Sequence, residues 1–204
     1  PSGRTRLRFG PGGRNLSAAA PARTLILAPD QARELTALPE RLAAWFGEGI
    51  QLVCGALAYE AGAGLHGLRT GRTGDPLAVI HGYRAYQCPA PDEPEPGGPW
   101  RVPGPWLAGQ SEATYQASVA AIRDYLHAGD CYQVNLAQAL NASFEGDPIA
   151  GWRRLVKAHP APFAGYLEWG GGALLSASPE RFLAIRNGQV ITEPIKGTRP
   201  RGET

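Results

Sequence analysis

The stretch Phe163–Glu193, FAGYLEWGGGALLSASPERFLAIRNGQVITE, decides the fold class. It reads as four short strands, Phe163–Trp169, Ala173–Ala177, Arg181–Arg186 and Gln189–Glu193, rich in aromatic and branched residues and separated by glycine, serine and proline. Asn187-Gly188 joins the last two and is a strong hairpin signal, because both central positions of the favoured turn need positive φ. Counting outward from that turn pairs Arg186 with Gln189 and Phe182 with Glu193, and sets Glu180 opposite Ile195.

Upstream, Asp147-Pro148 is an N-cap followed by proline at the first helical position, opening a helix through Trp152, Leu155 and Val156 that stops at His159-Pro160. Cys131 to Leu140 alternates Tyr132, Val134 and Leu136 against Gln133, Asn135 and Ala137, the period of a strand with one polar face. Tyr115, Val119, Ile122 and Leu126 recur at helical spacing between a Ser111 cap and a Gly129 stop.

The first third mixes both periods. Thr24–Ala28 is an apolar strand, Asp30 caps a helix carrying Leu35 and Leu38, and Pro39 restarts it through Leu42 and Trp45. Ile50–Tyr59 and Leu77–Tyr86 read as strands, with Gly62, Gly64 and Gly67 marking a loop between them. The order predicts an α+β fold, largely antiparallel β-sheets flanked by helices. Pro89–Pro105 holds seven prolines and three glycines in seventeen positions, so residues 89–110 read as a linker or flap between an N-terminal α+β layer at 1–88 and a second region at 111–204.

Composition excludes several classes. A formal charge of +2 over 204 residues does not suit a general polyanion binder, so no nucleic-acid partner is expected, although a local basic site stays open. No apolar run approaches the ~20 residues of a membrane span. Arg4, Arg6 and Arg8 are not followed by an apolar stretch of signal-peptide length. Three cysteines without CxxC spacing argue against a disulfide framework or zinc site and favour a cytoplasmic setting. A chain without methionine that begins at Pro1 reads as a portion of a longer polypeptide.

The chemistry concentrates in Ile191–Arg201, ITEPIKGTRPR. Backbone N–H groups at Gly197 and the Thr198 hydroxyl suit a carboxylate or phosphate oxygen, beside the positive charge of Lys196, Arg199 and Arg201. Strict alternation sets Glu180 and Lys196 on opposite faces of the hairpin, so their convergence requires Pro194 to break the ladder. An acid/base carboxylate beside a nucleophilic amine is one reading; an ordinary ion pair on a solvated basic turn is the other.

GDCYQVNLAQ (Gly129–Gln138), PAPF (Pro160–Phe163), SPERFL (Ser178–Leu183) and PIKGT (Pro194–Thr198) resemble, in order and spacing, the chorismate-utilising enzymes. Before Ser111 only GALAYEAG (Gly55–Gly62) is similar. The resemblance implies the N-terminal portion of an anthranilate synthase-like fold, with 111–204 as the first part of its chorismate-binding domain. Within the family it is closest to the branch typified by component I of aminodeoxychorismate synthase, on the p-aminobenzoate route to folate. The anthranilate-forming branch resembles PIAGT, with alanine where Lys196 stands.

That resemblance implies Lys196 as covalent nucleophile, Glu180 as general acid/base, and Gly197 and Thr198 as substrate-binding. It also implies a glutamine amidotransferase partner supplying ammonia, and Mg2+ whose ligands are expected in a C-terminal part beyond Thr204. Pro162, Phe163 and Ala164 correspond to a segment that binds tryptophan in some members; a buried helix–strand loop is the alternative. An anthranilate synthase component I-like enzyme, and a non-catalytic fragment binding tryptophan or a partner, are the competing functions.

Overall fold

The computed structural model describes residues 3–9, 14–68, 75–88 and 98–195. In chain order these form β1 (Thr5–Phe9), β2 (Arg14–Ala18), β3 (Arg23–Leu27), a 3-10 stretch (Pro29–Ala37), α1 (Leu38–Gly47), β4 (Leu52–Leu57), α2 (Glu60–Leu65) and β5 (Ala78–Tyr83). Next come β6 (Trp100–Arg101), β7 (Leu107–Ala108), α3 (Glu112–Ala128), β8 (Leu140–Asn141), β9 (Glu145–Gly146) and α4 (Pro148–Ala158). The remaining strands are β10 (Phe163–Trp169), β11 (Gly172–Ser178), β12 (Arg181–Arg186) and β13 (Gln189–Glu193). Among the described residues every strand pair is antiparallel, so the α+β reading holds.

The chain divides into two compact units, Pro1–Pro96 with Gly151–Thr204, and Gly97–Ala150. This grouping differs from a division at the proline-rich segment because β1 pairs with β10 across more than 150 residues, Leu7 opposite Gly165. The first unit therefore contains a four-stranded sheet, β11-β10-β1-β2, and a three-stranded sheet, β3-β5-β4.

β5 is buried along its whole length because both of its faces are covered. Ala78 and Ile80 join Leu27, Leu35, Ala61 and Leu77 in a core closed by Leu38, Leu42 and Trp45 of the helical side. On the alternate residues, Tyr83 packs with Cys54 of neighbouring β4 and with Ala18, Leu7 and Leu16 of the opposite sheet. The segment expected to be a glycine loop is in fact α2, which presses on the 3-10 stretch; a Cβ at Gly64 would lie 2.4 Å from that of Ala32. The expected Asp30 cap is replaced by Ala28, whose N–H bonds the Gln31 side chain at 2.8 Å, leaving Asp30 in the first turn.

Polar side chains also cross between the sheets. The Tyr83 hydroxyl donates to the Gly3 carbonyl at 2.7 Å, so the Thr5 hydroxyl must donate to Tyr83. His81, 2% exposed, reaches the Glu168 carbonyl of β10 through Nε2 at 2.8 Å and the Thr24 hydroxyl of β3 through Nδ1 at 3.0 Å. A carbonyl only accepts, so Nε2 carries the proton and neutral Nδ1 accepts from Thr24. The Glu168 carboxylate is engaged by Arg4 and offers His81 no counter-charge. Burial lowers the His81 pKa below its ordinary value, against a smaller upward pull from the Glu168 carbonyl. Burial also pushes Cys54 up to about 11 and Tyr83 up to about 12.

In the second unit, α3 forms between the expected signals: Ser111 Oγ accepts from the Thr114 N–H at 3.1 Å and Gly129 is left-handed at φ 82°. None of its residues is buried. The strand expected over Cys131–Leu140 does not form; only Leu140–Asn141 pairs, with Leu107–Ala108. Alternation alone does not make a strand without a partner edge, and Tyr132 is left 94% exposed. Within the expected linker, Trp100–Arg101 pairs with Glu145–Gly146, supported by an Arg101–Glu145 ion pair.

A histidine buried neutral favours folding fully above its unfolded pKa of ~6.5, and that contribution is lost as pH falls toward the lower folded value. The thermal midpoint of the first unit should therefore drop by a few °C between pH 7.5 and 5.5. In His81→Gln that part of the slope should vanish, measured by circular dichroism melts at matched ionic strength.

Candidate functional site

The hairpin β12–β13 turns at Asn187 (φ 50°) and Gly188 (φ 76°), the two positive-φ positions that its sequence demanded. Arg186↔Gln189, Ile185↔Val190 and Ala184↔Ile191 follow the expected register. Below them the register shifts, and Arg181 rather than Phe182 faces Glu193. Phe182 and Leu183 together oppose Thr192, whose hydroxyl donates to the Phe182 carbonyl at 2.9 Å. This is a bulge, an added residue that reverses the alternation beyond it. Arg181↔Glu193 is the last registered pair, so Glu180 and Ile195, expected to face each other, lie outside the ladder.

Glu180 stands in the short link between β11 and β12, exposed to solvent. Ser178 holds its backbone from one side: the hydroxyl donates to the Glu180 carbonyl at 3.2 Å and lies 3.4 Å from the Glu180 N–H. Lys196, Gly197 and Thr198, with Arg199 and Arg201, lie outside the described residues.

Pro162, Phe163 and Ala164 have three different settings. Pro162 lines an open hollow of about 520 Å³ with Leu155, His159, Pro160, Ala161 and neighbouring Ala177 and Pro179. The Phe163 ring is capped by the Arg181 guanidinium, 4.8 Å from its centroid. Ala164 is buried in β10. An indole stacking on that face of Phe163 would have to displace Arg181.

Arg181 does not stand out by its residue type. Its guanidinium sits on Phe163 and its Nε donates to Glu193 at 2.6 Å, joining β10, β12 and β13. The sequence signal for it is a cross-strand Arg–Glu pair, hidden by the one-residue bulge. The outer side of the hairpin is apolar and open, with Phe182 84% exposed beside exposed Ile185 and Val190.

Among the described residues there is no group of three or more His, Cys, Asp or Glu that could hold a metal ion. No described helix is long and apolar enough to cross a membrane.

Comparison with known proteins bears on this geometry. The family model described as chorismate binding enzyme matches residues 74–204. Aminodeoxychorismate synthase component 1 of Salmonella typhimurium (strain LT2) is 45% identical over 103 residues, 50% of this chain and 23% of that protein. The protein of the same name from Escherichia coli (strain K12) is 44% identical over 96 residues, 47% of this chain and 21% of its own length. Anthranilate synthase component 1 of Thermus thermophilus is 40% identical over 113 residues, 54% of this chain and 24% of its own. The matched stretch thus spans less than a quarter of each of these relatives.

Because Phe182 is exposed, Phe182→Ser should change the stability of this chain by no more than about 0.5 kcal/mol in a denaturant melt. The same variant should bind visibly less of an apolar fluorescent dye than the parent, since the hairpin's open apolar surface shrinks.

Proposed function

The chain belongs to the chorismate binding enzymes, and within that family we propose that it carries the nucleophile-bearing part of an enzyme that replaces the 4-hydroxyl of chorismate with an amino group. The product is 4-amino-4-deoxychorismate, and the ammonia comes from a glutamine amidotransferase partner. What supports this reading is that the SPERF and PIKGT motifs flank one hairpin, in which Arg181, next to Glu180, faces Glu193, next to Pro194.

In this reading neutral Lys196 attacks C2 of the ring. The two ring double bonds shift, the C4–O bond breaks, and protonated Glu180 gives its proton to the departing hydroxyl, which leaves as water. The lysine is then a positively charged secondary amine bonded to C2, and Glu180 is a carboxylate. Ammonia attacks C4, the double bonds shift back, and the C2–N bond breaks to return neutral Lys196. The new C4 ammonium passes a proton to Glu180, which restores the starting state. Two easier displacements replace one difficult one, the advantage of a covalent nucleophile.

Lys196 must be neutral near pH 7 to attack; in this reading Arg199 and Arg201 disfavour its charged form. Gly197 and Thr198 hold substrate oxygens. A tryptophan role for residues 160–164 has only Pro162 in its support, since Arg181 covers Phe163 and Ala164 is buried in β10.

The test incubates the encoded protein with chorismate and magnesium but no ammonia, and measures intact mass. A dehydrated chorismate adduct on Lys196, absent in Lys196→Ala, is expected. Amination at C4 that survives Lys196→Ala unchanged would refute the covalent route, and anthranilate as the product would move the chain to the other branch. Glu180→Gln should lower kcat by roughly 10²- to 10⁴-fold with an unchanged thermal midpoint, as expected for an exposed general acid/base.

A further inference from the structure

Among the described residues, the hairpin that carries Glu180 is a sheet of its own, without hydrogen-bonded pairing to the four-stranded sheet beside it in the chain. Such a two-stranded ribbon is only marginally ordered unless something anchors it. Most of its side chains are exposed, Phe182, Leu183, Ile185 and Val190 among them. Arg181 departs from this pattern, with a side chain only 19% exposed between two exposed neighbours.

Two contacts account for that burial. The guanidinium lies over the Phe163 ring at 4.8 Å, well within the ~6 Å reach of a cation–π contact. Its Nε donates to Glu193 Oε2 at 2.6 Å on the facing strand. Phe163 is the first residue of β10 and is registered with Ser178, the last of β11. Ser178 in turn holds the Glu180 backbone through its hydroxyl. Glu180 is therefore gripped on both sides, by Ser178 two residues before it and by Arg181 directly after it. Both grips run back to the same end of the same pair of strands.

We infer that Arg181 is a positioning residue for the reaction: clamped on Phe163 and Glu193, it sets the roll of the hairpin and thereby the direction of Glu180 and of the chain leaving β13. This inference rests on the acid/base role proposed for Glu180. The clamp is weak as a stabiliser, because its ion pair is partly exposed. Its leverage lies in geometry, since a displacement of about 1 Å at a reacting group costs on the order of a hundredfold in rate. The expected signature is a large loss in kcat beside a small change in stability.

The experiment compares Arg181→Met, which keeps the apolar stem, Phe163→Leu, which removes the ring, their double variant, and Arg181→Lys, all in the encoded protein. Arg181→Met and Phe163→Leu should each lower kcat for chorismate amination about tenfold or more. KM should stay within about threefold and the thermal midpoint within about 3 °C. The double variant should fall no more than about twofold below the slower single, because both remove one interaction. Arg181→Lys should recover part of the rate, as it keeps a cation for the ring and for Glu193 but not the planar fork.

Amide hydrogen exchange over 178–193 provides the second readout, and faster exchange at Glu180–Leu183 in both single variants is expected. Unchanged kcat in Arg181→Met and Phe163→Leu, or unchanged exchange in both, would overturn the inference. A parent protein that does not aminate chorismate would instead refute the role proposed for Glu180, while the exchange measurement would still decide whether the clamp exists.

Discussion

The hydroxyl of Tyr83 and the imidazole of His81, two residues apart on one buried strand, are the contacts on which the first unit depends. Tyr83 ties the central strand of the small sheet to Gly3 and Thr5 at the start of β1, and His81 ties it to the Glu168 carbonyl of β10. Apolar side chains alone tolerate sliding of one sheet over another. Buried hydrogen-bonding groups do not, because each must find its partner or stay unsatisfied at a cost of ~1–3 kcal/mol. A single sheet-on-sheet placement satisfies both residues. Fixing β10 in this way also fixes Phe163 at its other end, the surface on which Arg181 rests.

From that point outward order depends on fewer contacts. The helical layer over β5 is closed by Leu35, Leu38, Leu42 and Trp45. The hairpin beyond Ser178 is held by its turn, its own ladder, a serine hydroxyl and one arginine. This gradient suits the chemistry assigned to it. A reacting carboxylate needs a defined direction more than a deep burial, and an anchor of small energy can supply direction.

Much of the architecture is legible because it follows from local chemistry. Ser111 and Gly129 bracket α3, Asp147-Pro148 opens α4, and Asn187-Gly188 makes its turn, each through a backbone requirement that few residues meet. The four strands of 163–193 form within a residue of their expected bounds. What escapes such reading has a partner distant in sequence. β1 alternates Thr5, Leu7 and Phe9 with Arg4, Arg6 and Arg8, yet its arginines draw attention as charge and its pairing with β10 leaves no local trace. Cys131–Leu140 shows the converse, a strand period that, among the described residues, meets a neighbouring strand only at Leu140. At the candidate site, Glu180 and Pro162 are legible from motif. Arg181 is not, because its role arises from a bulge and from a ring eighteen residues upstream.

Element types, the α+β class and the family to which SPERF and PIKGT point were all present in the order of the residues, since capping, turn geometry and periodicity act over a few positions. Three features were settled by the folded chain instead: that β1 and β10 share a sheet, that a one-residue bulge sets Arg181 opposite Glu193, and that Phe163 supports an arginine. Each of these depends on which distant surfaces meet, and the free energy of that meeting is spread over many residues with no signal in any one of them.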